Sequence, residues 1–374
     1  MSYRVLHVFD YYLSETMQWL EDLWISSDTD VEHHLASLFY SHRRSKFPRI
    51  EHFGLSCEYP ISIFSKLQTR LKQSYYEDLI LNYVKKKSID IVHFHFGNIA
   101  IKFHELIPKL QCKIFISLYG FDYEYLPYRN PITLDFYRRF ARLGVHYIVE
   151  GTYSKKLLIS YLISSDQIHV VQMYYNRNLN SSIKPWMLPC QLLQVATFSE
   201  KKGQLFLLEA ISKSGVKNLL KVNFYGEQVE HSYFRELELC IRKNKLMQVS
   251  LNSKLLTNDY QVVLSNTHIG VNLSMKSKTN ETEGGCPMFL KDAISCSKPV
   301  FTTKHCDIPD LAIGHFNSWI IDENDLQGAA HTIKEIVSIS SRDYSKLCHN
   351  AYQSALNKIN SGWTRMNIIK AYRN

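Results

Sequence analysis

Residues Glu281 to Asp310 read ETEGGCPMFLKDAISCSKPVFTTKHCDIPD, a glycine pair and a proline running into an apolar helix and then a strand. Gly284 and Gly285 permit a tight turn and let a ligand approach the backbone closely. Pro287 is placed to be the first residue of the helix, because it lacks the amide hydrogen that would go unpaired there. Turn and helix together make a seat for an anion, with backbone amides and the positive end of a helix dipole facing it. Asp292 lies five residues beyond Pro287, about 7 Å along the axis at ~1.5 Å per residue. Glu283 and Asp292 therefore meet different parts of one extended ligand, and a nucleotide sugar, with hydroxyl-bearing rings on either side of a diphosphate, has that length. With no ligand, the same spacing describes a capped helix carrying a solvated Glu and Asp.

Beyond this segment, short apolar runs alternate with amphipathic stretches along the chain. RVLHVFD, EHHLASLFY, IDIVHFHFG, CKIFISLYGFD, VHYIVEG and QIHVVQM read as strands, separated by helical segments such as FSKLQTRLKQSYYEDLILNYVKKKS and, after the first strand, YYLSETMQWLEDLW. From Met173 to Pro189 the periodicity stops in favour of Asn, Ser and Pro, as in a linker. The alternation then restarts with LLQVATF, GQLFLLEAISKSG, LKVNFYGE, YFRELELCIRKN, HIGVNLS, KPVFTT and NSWIID, and ends in three helical segments. Such alternation predicts α/β architecture, two doubly wound Rossmann-like domains with parallel sheets, whose ligands sit beyond the carboxyl ends of the strands.

A chain of 374 residues exceeds one ordinary core, which agrees with two domains. No apolar run approaches the ~20 residues of a membrane span, and the N-terminus lacks the order of a signal peptide. The expected location is the cytoplasm. The eight cysteines are scattered without metal-like spacing, so they read as reduced, small apolar side chains. Asp28 and Asp30 have the spacing of a metal-binding acidic pair but precede a strand as a turn would, and no metal is expected. Of the +9 formal charge, residues 1–175 supply 20 Lys+Arg against 18 Asp+Glu and residues 176–374 supply 24 against 17. The second half is the place for a polyanionic ligand. Nucleic acid is not expected, since the basic residues form no long run and no nucleic-acid-binding signature appears.

The segment TEGGCPMFLKDAISCSKPVFTTKHCDIPD resembles the nucleotide-sugar motif of the retaining GT-B glycosyltransferases of family 4, in particular the bacterial capsule, exopolysaccharide and lipopolysaccharide enzymes. Further pieces fall in family order: LSET (Ser14, Glu15, Thr16), IVHFHFG (His93, His95, Gly97), LYGFD, VEGTYSKKLL, VATFSEKKGQLFLLEA and YGE. The resemblance covers nearly the whole chain. It implies an N-terminal acceptor-binding domain over 1–175, with the C-terminal helix 361–374 packing back onto it, and a nucleotide-sugar-binding domain over 186–360. It implies that Glu283 contacts the donor sugar hydroxyls, that Asp292 holds the ribose, and that Lys202, before Gly203, binds the diphosphate. Thr197, Gly226, Gly284, Gly285, Cys286 and Pro287 complete the donor side; Glu15, Gly97, Tyr119 and Asp122 lie on the acceptor side. Glu283, Lys202 and His95 are the catalytic candidates.

The chemistry so implied is metal-independent transfer of a sugar from a UDP- or GDP-linked donor, with no cofactor, to a glycan or lipid-linked saccharide at the inner face of the membrane. Lys202 and backbone amides would stabilise the charge that develops on the leaving diphosphate. Retaining hydrolases use a carboxylate nucleophile, whereas the family resembles a front-face mechanism in which the donor phosphate takes the acceptor proton. Three positions depart from the pattern: Thr197 stands where an Arg is usual, Tyr119 where a His is, and Asp292 where a Glu is. Losing the Arg removes a bidentate phosphate clamp, which leaves Lys201 or a linker residue to supply the charge. Two other readings stay open, a nucleotide-sugar epimerase of the same fold and a partner subunit that binds donor or glycan without turnover.

Overall fold

The structure, a computed structural model, describes residues 3–12, 23–24, 30–40, 52–56, 63–174, 179–359 and 361–373. The chain divides into two compact units, Met1–Tyr175 with Ser361–Asn374, and Asn176–Asn360. Among the described residues no helix is long and apolar enough to cross a membrane.

The first unit is built on a seven-stranded sheet in the order β3-β2-β1-β4-β5-β6-β7. The strands are β1 (Tyr3–Tyr12), β2 (Val31–Tyr40), β3 (His52–Ser56), β4 (Ile91–His95), β5 (Lys113–Ser117), β6 (His146–Val149) and β7 (Ile168–Val170), and every pairing is parallel. Helices α1 (Ile63–Lys87), α2 (Gly97–Lys102), α3 (Leu126–Arg129), α4 (Ile132–Arg142) and α5 (Thr152–Ser160) alternate with them. Parallel strands buried on both faces need apolar side chains on both, and two clusters supply them. Leu6, Val8, Val92, Phe94 and Ile116 face one side; Val5, Phe9, Ile91, Phe115 and Ile148 face the other.

The second unit carries a six-stranded parallel sheet in the order β10-β9-β8-β11-β12-β13, made of β8 (Cys190–Val195), β9 (Leu220–Tyr225), β10 (Val249–Asn252), β11 (Ile269–Asn272), β12 (Val300–Thr303) and β13 (Ser318–Ile321). Its helices are α6 (Gln204–Ser214), α7 (His231–Lys243), α8 (Thr257–Ser265), α9 (Met288–Ser295), α10 (Leu326–Ser338) and α11 (Ser341–Lys358). Both sheets reverse strand order once, between β1 and β4 and between β8 and β11. These are the switch points at which such sheets bind ligands.

The structure adds elements absent from the sequence reading: the edge strands β3 and β10, and α8. It also shifts Pro287, which is the residue before α9 rather than its first residue. Its ψ of 132° is extended, and its carbonyl already accepts from Leu290. Of the expected first helix, Tyr11 and Tyr12 instead extend β1, Leu23 and Trp24 are helical, and residues 13–22 lie outside the described residues. Part of the expected linker is bound into the second unit. Trp186 packs on Tyr344 with ring centroids 4.8 Å apart, and His268 Nε2 lies 2.9 Å from the Pro185 carbonyl oxygen.

The last helix, α12 (Ser361–Arg373), belongs to the first unit. Ile368, Ala371 and Tyr372 bury into the cluster on the β4–β5 face. Thr364 donates to the Gln172 carbonyl at 2.8 Å, and Lys113 Nζ donates to the Tyr372 carbonyl at 3.3 Å.

Candidate active site

The loops that follow β8 and β11 meet at the switch point of the second sheet. After β8, Glu200–Lys202 form one tight helical turn that ends at Gly203, whose φ of +68° is one glycine adopts without strain. A Cβ there would stand 2.0 Å from the Leu273 carbonyl oxygen just beyond β11. This close approach lets Met275 N donate to the Lys201 carbonyl at 3.0 Å. Gln194, buried at the end of β8, donates its side-chain amide to the Lys202 carbonyl at 2.7 Å.

The turn so held aims Lys202 at Glu283. Lys202 Nζ lies 2.6 Å from Glu283 Oε2, both side chains largely enclosed. Ser274 hydroxyl is 2.8 Å from Glu283 Oε1 and also 2.8 Å from Asn272 Oδ1. Burial alone would raise the Glu283 carboxyl, but Lys202, Lys201 and the Ser274 hydroxyl outweigh it and hold the group below its ordinary value. Glu283 is therefore a carboxylate, able to accept from hydroxyls. Lys201 Nζ pairs with Glu281 at 3.4 Å.

The backbone N–H of Glu283 points at His305 Nε2, 3.1 Å away, and His305 Nδ1 lies 2.7 Å from Glu323 Oε1. His305 and Glu323 follow β12 and β13, so with β8 and β11 the C-terminal ends of four adjacent strands contribute to one site. Neither residue was assigned a role from sequence. His305 stands in the HCDIPD stretch, which was the available signal; nothing local marks Glu323.

The other donor-side candidates divide. Thr197 is half-buried beyond β8, its carbonyl accepting from Gln204 at 2.9 Å. Gly226 sits where β9 ends against β8, and a Cβ there would lie 1.9 Å from the Ala196 carbonyl oxygen. Gly284 has φ +69°; Gly284, Gly285 and Cys286 are buried in the turn before Pro287. Asp292 does not project from α9 as a solvated acid. It is fully buried, and its Oδ2 accepts from the Tyr260 hydroxyl at 2.8 Å.

The acceptor-side candidates lie in the first unit. Glu15 is outside the described residues. Asp122 is enclosed, which departs from an acid lining a surface: its carboxylate accepts the backbone N–H groups of Tyr119, Gly97 and Asn98, tying the turn after β5 to the start of α2. Burial pushes its pKa up to about 7 in spite of those bonds. Gly97 is buried against the Tyr137 hydroxyl.

His95, expected to touch ligand, is also fully buried, stacked on Phe9 at 4.4 Å. It stands in a chain of polar contacts. The Trp24 indole donates to the Tyr119 hydroxyl at 2.9 Å, Tyr119 lies 3.3 Å from His95 Nδ1, His95 Nε2 lies 2.9 Å from His7 Nδ1, and His7 Nε2 lies 3.0 Å from His33 Nδ1. His93 Nδ1 and Nε2 meet the Tyr372 and Ser117 hydroxyls at 2.7 and 2.8 Å. His7, His93 and His95 present nitrogens within 4.8 Å of one another, a set that metals use. Here each of the six ring nitrogens already has one of these polar neighbours.

Comparison with known proteins accords with this geometry. Residues 189–357 match the family model described as Glycosyl transferases group 1. The match lies wholly within the second unit. The chain is 23% identical over 285 residues to the putative colanic acid biosynthesis glycosyltransferase WcaL of Salmonella typhimurium, covering 72% of this chain and 68% of that protein. A glycosyltransferase from Rickettsia africae superposes with TM-score 0.73 at 16% identity, over 100% of this chain and 98% of that one. Anabaena Alr3699/HepE in complex with UDP-glucose superposes with TM-score 0.74 at 12% identity, over 99% and 100%. The chain has the GT-B fold.

Proposed function

We propose that the protein is a retaining, metal-independent glycosyltransferase that moves a sugar from a nucleoside diphosphate donor to a lipid-linked surface glycan. The observation that carries this reading is the Lys202–Glu283 pair at the strand-switch point of the second sheet, 2.6 Å apart and beside the glycine turn that leads into α9. The pair has what a donor needs, a cation for the diphosphate and a carboxylate for sugar hydroxyls. In this structure each satisfies the other. Donor exchanges that contact for two: Lys202 turns to the diphosphate, whose charge grows as the anomeric carbon–oxygen bond breaks, and Glu283 accepts from the sugar. A fixed cation aimed at the leaving group stabilises the transition state more than the ground state. On the same face the acceptor hydroxyl attacks the anomeric carbon and passes its proton to the departing phosphate oxygen. The likeness to a colanic acid glycosyltransferase and the UDP-glucose complex of HepE support a surface-glycan acceptor and a nucleotide-sugar donor.

Thr197, where the family usually has an Arg, favours one second reading, a subunit that binds donor without turnover. Nucleotide release from UDP- and GDP-sugars, with and without a lipid-linked acceptor extract and with EDTA present, separates the two. Acceptor-dependent, EDTA-insensitive release that Glu283→Ala abolishes is the expected result. Donor binding with no release under any acceptor selects the second reading, and full activity in Glu283→Ala overturns the site.

A further inference from the structure

The contacts on the main chain of Glu283 determine the state of a neighbouring histidine. A backbone N–H can only donate, so the His305 Nε2 it approaches at 3.1 Å carries no proton. The imidazole proton is then on Nδ1, which donates at 2.7 Å to Glu323 Oε1. A carboxylate can only accept, so the two ends of the ring fix the same tautomer independently. Glu323 is itself anchored, its Oε2 accepting from the backbone of Lys276 at 3.0 Å. Burial raises the Glu323 carboxyl, and the contacts from His305 and Lys276 lower it further than burial raises it, keeping it an acceptor. His305 is 2% exposed, so water cannot easily replace either bond.

We propose that His305, oriented by Glu323, is a positioning residue that sets the amide plane of Glu283, and with it the direction of the Glu283 carboxylate and of the Gly284–Gly285 backbone toward the donor. The inference rests on the donor site proposed above. It predicts that what matters at position 305 is an acceptor at the Nε2 position. His305→Gln supplies one, since its amide oxygen reaches about as far as Nε2. His305→Asn reaches only as far as Nδ1 and leaves the Glu283 amide unmet. Losing a hydrogen bond of this kind is expected to weaken donor binding about tenfold.

The test uses the full chain as wild type, His305→Gln, His305→Asn, Glu323→Gln and Glu283→Ala. Two quantities are measured: hydrogen exchange at the Glu283 amide, and titration with UDP-glucose and GDP-mannose. The expected result is slow exchange and native affinity in wild type and His305→Gln, with faster exchange and about tenfold weaker donor binding in His305→Asn at an unchanged thermal midpoint. Glu323→Gln falls between, and serves if the asparagine variant does not fold. Equal donor affinity in His305→Gln and His305→Asn, whether both intact or both lost, overturns the proposal. So does a loss of affinity that only tracks a fall in stability. If wild type takes up neither nucleotide sugar, or Glu283→Ala binds as wild type does, the donor site itself fails. The exchange data still report the His305 bond in that case.

Discussion

Lys202 and Glu283 are where a substitution bears most directly on both folding and chemistry. Lys202→Met leaves an enclosed carboxylate without its main cation, expected to cost about 3 kcal/mol in chemical denaturation. Removing both charges as Lys202→Met with Glu283→Leu leaves no orphaned ion, and this double variant is expected within about 1 kcal/mol of wild type yet inactive. On transfer itself, Lys202→Met is expected to lower kcat about 10²–10³-fold, the usual loss when one group aimed at developing charge is removed. Gly203→Ala combines a positive φ with a collision against the Leu273 carbonyl. It is expected to cost about 1–3 kcal/mol and to reduce transfer by moving Lys202, both checked on the purified variant. The types and spacing of Lys202, Gly203 and Glu283 were legible in the sequence. Their pairing was not, because it is made between residues 81 positions apart by the register of β8 beside β11. Asp292 and Asp122 show the converse. As residues in a string they read as ligand-facing acids, and only packing reveals that one meets Tyr260 and the other holds three backbone amides.

At the scale of elements, the parallel alternation identified most strands, and the omissions have one physical cause. β3 and β10 each stand at one edge of their sheet, opposite β7 and β13. An edge strand needs no continuous apolar run, and Val249–Asn252 are all only half-buried. Register also gathers what the sequence scatters. His7 pairs with His93 across β1 and β4, and His95 follows two residues on. With His33, His146 and His169 they share the sheet face on which Phe115 and Tyr372 pack. Burial lowers every one of these six histidines, His93 to about 3 and His33 to about 4. The unfolded chain titrates near 6.5. Above that value both states are neutral and the histidines add no pH dependence. Below it the unfolded chain takes up protons that the folded one refuses. Stability is therefore expected to fall as pH drops from 6.5 toward 4, by up to ~1.4 kcal/mol per pH unit for each fully buried ring. Urea unfolding at pH 7.5 and 5.0 measures the loss. His93→Phe is expected to make it shallower, and an unchanged slope would place the titration elsewhere.

At the scale of the whole molecule, the chain builds most of one unit, then the entire second unit, and returns to place Ser361–Arg373 on the first. Truncation after Asn360 is expected to uncover Phe115 and the histidine face while leaving the second unit's core, which contains no α12 residue, intact. Light scattering and dye binding should report exposed apolar surface, while UDP-sugar binding, read by titration, should persist. Loss of donor binding in that truncation would mean that the two units are coupled more closely than their separate cores imply. The same return has a temporal side. A ribosome delivers Asn176–Asn360 before it delivers the helix that seals the first sheet, so the unit begun first is finished last. Throughout that interval the nascent chain carries an open histidine-lined face, and slowing translation near codon 360 would lengthen the time a chaperone must guard it.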